Sequence, residues 1–128
     1  MKKNKILIID DDTSIRYLLE HILAEDYETE LIDNGFDALA LMQKGNIPDL
    51  IISDLTMPKM DGHDFIDNIK MSAFFKQIPL VVLSANNKSN DRINCLKKGA
   101  DDFLVKPFNP EELLFRVKNI FSRTKITN

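Results

Sequence analysis

Four short apolar runs, each stopping at a charged or hydroxyl-bearing residue, constrain this chain more than any other feature. Ile6-Leu7-Ile8-Ile9 stops at Asp10, Leu50-Ile51-Ile52 at Ser53-Asp54, Leu80-Val81-Val82-Leu83 at Ser84, and Phe103-Leu104-Val105 at Lys106. Continuous runs rich in β-branched residues fit strands buried on both faces, as in a parallel sheet. A fifth segment, Glu28 to Asp33, alternates and predicts an edge strand with one wetter face. Between these segments the apolar period becomes helical. Ile15, Leu18, Leu19, Ile22 and Leu23 form one stripe, with Thr13 or Ser14 as candidate cap. Gly35 to Lys44 carries Ala38, Leu39 and Met42, and Gly45 ends it. Phe65, Ile66 and Ile69 mark a third helix, for which Asp61 is a candidate cap. Asn87 to Lys98 has a thin stripe (Ile93, Leu96) that stops at Gly99. Pro110 suits the first turn of a last helix with Leu113, Leu114, Val117, Ile120 and Phe121. Five strand–helix units predict an α/β fold, a parallel sheet with helices on both faces.

The chain has 128 residues, enough for one domain, expected over residues 1–122, with 123–128 as a tail or the start of a linker. A net charge of -3 argues against holding nucleic acid or an anionic membrane through a charged face. The single cysteine, Cys95, excludes an internal disulfide and a thiolate cluster, and reads as a small core residue. No apolar run reaches membrane-spanning length. The basic start is cut short by Asp10, Asp11 and Asp12 and does not read as a signal peptide, so the expected location is the cytoplasm.

In an open α/β sheet, ligands bind outside the carboxyl ends of the strands. Those ends deliver Asp10 and Asp11, Asp54, Ser84 and Lys106. Crowded carboxylates repel, and a hard divalent cation removes that repulsion. Mg²⁺ takes few carboxylates, several waters and a phosphate oxygen, which a half-open acidic site would supply. The plainer reading is that the three successive acids cap the first helix, but one cap needs one acid. Lys106 could be a surface lysine covering apolar area, and Ser84 a plain helix cap. Together with the acids they read instead as donors to an anionic oxygen.

These residues resemble the receiver domain of two-component response regulators, over nearly the whole chain. Lys5 to Asp12 resembles that family's first strand and acidic pair, Asp49 to Gly62 its phosphoacceptor strand and loop, Pro79 to Ala85 its hydroxyl-bearing strand, and Lys98 to Phe108 the approach to its lysine. Four matches in order, at compatible spacing, are specific. The resemblance implies a flavodoxin-like, doubly wound five-stranded parallel sheet, order 2-1-3-4-5, flanked by five helices. It implies that Asp54 accepts a phosphoryl group from a sensor histidine kinase or histidine phosphotransfer protein. It implies Mg²⁺ on Asp11, Asp54 and the backbone carbonyl of Thr56, with Asp10 acting through water. Ser84 and Lys106 would contact phosphoryl oxygens, and the Lys106–Pro107 bond would be cis. Such a protein catalyses its own phosphorylation and dephosphorylation without being a conventional enzyme.

The family position of a switching aromatic falls on Phe103, expected to turn inward on phosphorylation, with Ser84 drawn toward the new charge. Thr56 and Asn86 occupy positions that tune hydrolysis. Neither is an acid, so a phosphoaspartate of moderate or long lifetime is expected. The first helix and adjacent loops are the expected kinase surface. The fourth helix, fifth strand and fifth helix are the expected surface for a downstream target, an effector domain or a phosphorylation-dependent dimer. Two rivals stand beside this reading. A haloacid-dehalogenase-like phosphohydrolase would use Asp10 and Asp12, but the chain is short for it and leaves Asp54 without a role. A flavin-binding module would want a Ser/Thr/Gly-rich loop where this chain has three acids. His21 and His63 read as surface residues, and Met57 and Met60 as packing for the loop after Asp54.

Overall fold

The computed structural model describes residues 2–85 and 89–126, except for the side chains of residues 89 and 124–126. Strands and helices alternate: β1 (Lys5–Ile9), α1 (Thr13–Leu23), β2 (Glu28–Ile32), α2 (Gly35–Gln43), β3 (Leu50–Asp54), α3 (Gly62–Lys70), β4 (Leu80–Ser84), α4 (Ser89–Lys97), β5 (Asp102–Val105) and α5 (Pro110–Ile126). All four strand pairings are parallel, in the order β2-β1-β3-β4-β5. This is the doubly wound sheet expected from the sequence.

Alternate side chains of each strand feed opposite cores, which is why the apolar runs are continuous. Leu7, Ile9, Ile51, Leu80 and Val82 pack with Ala38 and Met42 of α2 and Phe65, Ile66 and Ile69 of α3. Ile6, Ile8, Leu50, Ile52, Val81 and Leu83 pack with Leu19 and Leu23 of α1 and Leu113, Val117 and Ile120 of α5. Carboxylates tie the amino ends of the sheet: Asp49 accepts the Lys5 N–H at 2.7 Å and Asp101 the Leu80 N–H at 2.8 Å.

Several local expectations are corrected. The α1 cap is Asp12, whose carboxylate accepts the N–H groups of Ser14 and Ile15, rather than Thr13 or Ser14. Asp12 stands one residue earlier, where its oxygen reaches the free donors of the first turn. Leu18 of the α1 stripe is exposed, as are Ile93 and Leu96 of α4; α4 turns Cys95 into the core instead. Helix α5 runs from Pro110 to Ile126. Asp61 caps α3 through the His63 N–H, as its position suggested. His21 is exposed, whereas His63 is half-buried, 3.8 Å from Asp91.

Candidate functional site

The strand order places the site. The chain enters the sheet at β1, steps to β2, then returns to β3 on the other side. The carboxyl ends of β1 and β3 therefore adjoin, with helices leaving to opposite faces. Register sets the levels. Ile9 pairs with Ser53, so Asp10 follows level with Asp54. Asp54 pairs with Leu83, which puts Ser84 one residue further out. Ser84 pairs with Val105, which puts Lys106 one residue beyond that. Each strand toward the β5 edge thus presents its polar residue one step higher, and the long lysine reaches back over the row.

Asp10 is 1 % exposed and Asp54 6 %. Carboxylate oxygens of Asp10, Asp11 and Asp54 all lie within 4.8 Å of one another, with Asp11 on the solvent side. The Lys106 ammonium donates to Asp10 Oδ2 at 2.7 Å and stands 3.5 Å from Asp54 Oδ1. Burial pushes the Asp54 carboxyl above its ordinary value, and the Asp10 charge adds to this. Lys106 and the N–H groups of Thr56 and Leu55 oppose it without cancelling it. For Lys106, burial disfavours the charge, but the hydrogen bond and charge of Asp10, with help from Asp54, raise its pKa. A net acidic cluster with one buried carboxyl strained upward fits a small hard cation: the donors are oxygen, close together and open on one side.

Backbone contacts hold the acids in place. Asp10 Oδ1 accepts the Asp12 N–H at 2.9 Å, and Asp54 Oδ1 the Leu55 N–H at 2.9 Å. Ser84 is buried at the end of β4, and its carbonyl accepts the Lys106 N–H at 2.8 Å. The Lys106–Pro107 peptide is cis, as expected. Thr56 is exposed beyond Asp54, and Met57 and Met60 pack their loop on the core. Asn86 lies outside the described residues. Phe103 requires a correction: it is 3 % exposed and already packed in the core, so no inward turn is left for it to make.

Two supporting residues escaped the sequence reading. Arg16 of α1 donates to the Asp10 carbonyl at 2.6 Å, fixing the backbone that carries the first acids. Its i, i+6 relation to Asp10 was the available signal. Gly62 packs under the β3 loop. Its N–H donates to the Leu55 carbonyl at 2.8 Å, and a Cβ would meet that oxygen at 2.6 Å and the Asp54 carbonyl at 2.7 Å.

Fold and pocket together define a doubly wound α/β domain built around an acidic pocket with one lysine. Residues 6–118 match the response regulator receiver domain family, and the chain belongs to it. It is 38 % identical over 124 residues to the probable transcriptional regulator ycf27 of Porphyridium aerugineum, covering 96 % of this chain and 50 % of that protein. The chain spans about half the length of the curated relatives it matches. Among solved structures it resembles the chemotaxis response regulator CheY4 of Vibrio cholerae, with 37 % identity and a TM-score of 0.85 over 93 % of this chain and 99 % of that one. It also resembles the Mn²⁺-bound form of response regulator Rcp1, with 30 % identity and a TM-score of 0.78 over 93 % and 92 % of the two chains. The chain is a receiver domain of two-component signalling, a phosphoacceptor class rather than a conventional enzyme class. The dehalogenase-like alternative finds no support: Asp12, its second acid, is spent on capping α1. Among the described residues no helix is long and apolar enough to cross a membrane.

Proposed function

We propose that Asp54 accepts a phosphoryl group from a phosphohistidine on a sensor kinase or histidine phosphotransfer protein. The observation that supports this most is the convergence of Asp10, Asp11, Asp54 and Lys106 from three strand ends onto one pocket. Asp11, Asp54 and the Thr56 carbonyl would hold Mg²⁺, with Asp10 acting through water; that the related response regulator Rcp1 has a Mn²⁺-bound form supports a divalent ion as ligand. When bound, the ion neutralises phosphoryl oxygens and the crowded carboxylates.

An Asp54 oxygen forms the new O–P bond while the N–P bond of the donor breaks, and its electron pair stays on the imidazole. The Leu55 N–H holds Asp54 Oδ1 and orients the carboxylate for in-line attack. Lys106, already between two carboxylates, shifts its ammonium to a phosphoryl oxygen. The Ser84 hydroxyl donates to another. The displacement of Lys106 and Ser84 toward the new dianion then biases the loops and α4 between two arrangements. The face formed by α4, β5 and α5, which exposes Ile93, Leu96 and Phe115, meets the downstream target, effector domain or second copy. Thr56 and Asn86 set the lifetime of the phosphoaspartate. The domain works in the cytoplasm, without touching nucleic acid itself.

The test is incubation with Mg²⁺ and a small acyl phosphate donor, followed by intact-mass measurement and peptide mapping. The expected label is one phosphoryl group on Asp54, labile to hydroxylamine and absent without divalent ion. Equal labelling of the Asp54→Asn variant refutes the assignment. Turnover that depends on Asp12 would restore the hydrolase.

A further inference from the structure

Of the three acids in the pocket, Asp11 is the one its neighbours hold least. Its side chain is exposed, and among the described residues no hydrogen bond or ion pair reaches it, whereas Lys106 lies against both Asp10 and Asp54. One Asp11 carboxylate oxygen nevertheless lies within 4.8 Å of an oxygen of each of the other two acids. Like charges push an unheld side chain toward water. The place of the Asp11 carboxylate therefore has to come from its backbone.

Two planar peptide units flank the Asp11 Cα, and their orientations set its φ and ψ and with them the direction of its side chain. The unit shared with Asp12 is held by the Asp12 N–H, which donates to Asp10 Oδ1 at 2.9 Å. The unit shared with Asp10 is held by the Asp10 carbonyl, which accepts from Arg16 Nη1 at 2.6 Å. The same guanidinium donates through Nη2 to Thr13 Oγ1 at 3.1 Å, so its two arms grip the chain on both sides of Asp11.

Arg16 is itself well anchored. It is half-buried in the first turns of α1, its N–H donates to the Asp12 carbonyl at 3.0 Å, and the Asp12 carboxylate caps the same helix. A lysine at this position keeps the charge but lacks the rigid planar fork that spans two acceptors at once.

We propose that Arg16 is the positioning residue for Asp11, a role that rests on Asp11 and Asp54 holding Mg²⁺ as inferred above. By gripping the Asp10 carbonyl and the Thr13 hydroxyl, it aims the Asp11 carboxylate at the divalent ion and so sets the affinity of the pocket for that ion. Mg²⁺ demands near-ideal placement of its oxygen ligands, so a small swing of the Asp11 backbone is enough to weaken it. The guanidinium touches neither the ion nor the phosphoryl group; both its arms end on neutral oxygens.

The probe is Mg²⁺ alone, titrated into the isotope-labelled full chain without phosphodonor, with amide shifts as the readout and urea unfolding as the check on the fold. Arg16→Lys is expected to weaken Mg²⁺ binding about tenfold, and Thr13→Val, which removes one of the two acceptors, about threefold. In the Asp11→Asn chain, which binds the ion more weakly from the start, Arg16→Lys should change the affinity by less than about twofold, because no carboxylate is left to aim. Thr13 is exposed, so Thr13→Val is expected to fold and carries the same cycle should Arg16→Lys lower the unfolding midpoint. Unchanged affinity in both variants, in a chain that loses affinity on Asp11→Asn, overturns the proposal alone. So does an equal loss with and without the Asp11 carboxylate, which would make Arg16 a general support of the pocket. An Asp11→Asn chain that binds Mg²⁺ as tightly as the natural one overturns the metal reading, and the role of Arg16 with it.

Discussion

Replacing Lys106 with methionine keeps most of the stem and removes the cation that, among the described residues, lies against the carboxylates of both Asp10 and Asp54. At an effective dielectric of about 20, the attraction across 3.5 Å to Asp54 is roughly 5 kcal/mol, and the repulsion between carboxylate oxygens that lie within 4.8 Å of one another is roughly 3.5 kcal/mol or more. The variant forfeits the attractions and keeps the repulsion, and it is refunded only the desolvation of the ammonium. Breaking a buried pair from one side costs about 3–5 kcal/mol, and the pocket's open side places this one near the lower end, at about 3 kcal/mol. For 128 residues the unfolding entropy is about 0.27 kcal/mol per degree, so Tm should fall by roughly 11 °C. Urea unfolding at pH 7 in a chelator measures the deficit. Repeating it in millimolar Mg²⁺ should shrink the deficit by about 1 kcal/mol or more, because the cation offsets the same charges and stabilises the folded state by mass action. A chelator deficit below about 0.5 kcal/mol would mean that water already screens the acids as well as the lysine does. A deficit unmoved by Mg²⁺ would mean that the ion binds elsewhere.

Asp54→Asn should stabilise the metal-free chain at pH 7 by about 1 kcal/mol, since the buried group is then neutral and no longer faces the Asp10 charge. The sign is set by the raised pKa: an ionised Asp54 opposes folding, so the variant's advantage should shrink as pH falls through the raised folded value and level off below the ordinary 3.8. An advantage that grows on acidification refutes this; parallel urea titrations decide. Gly62→Ala should cost about 2–3 kcal/mol and slow phosphoryl uptake, because the added methyl collides with backbone rather than with a movable side chain. Wild-type unfolding midpoints for that variant would refute the packing argument. Asp12→Ala should lose about 1 kcal/mol of stability with the cap, while labelling of Asp54 proceeds as before. The Cys95 thiol, raised by burial and by the Asp91 charge, should resist alkylation at pH 8 until urea unfolds the chain.

The fold was legible because its information is local. An apolar run such as Leu80 to Leu83 has the composition of a strand covered on both sides, and the two cores confirm that each alternate residue has its own partner set. The misread positions are those where two local patterns compete. Along α4, Ile93 and Leu96 outrank Cys95 in hydrophobicity, yet the helix rotates the small thiol inward. Cys95 joins the buried cluster that also holds Phe65, Ile66 and Phe103, while Ile93 and Leu96 stay exposed. Phe103 was misread for a related reason: its place beside the pocket suggested motion, whereas its contacts are those of a core residue.

The site was legible in its members but not in its geometry, and the difference lies in register. Sequence marks where each strand ends; it does not mark that β4 and β5 are each displaced by one residue relative to the strand before. That displacement turns Lys106 into a lid over Asp10 and Asp54 rather than a neighbour of Ser84 alone, and the residue with the longest side chain occupies the highest step. From that step the long lysine side chain reaches Asp10 at 2.7 Å and Asp54 at 3.5 Å. Arg16 and Gly62 act on the same geometry from outside, one by fixing the Asp10 carbonyl, the other by letting α3 approach the backbone that carries Asp54. Both depend on how closely elements approach in space. They therefore become visible only once the sheet is assembled.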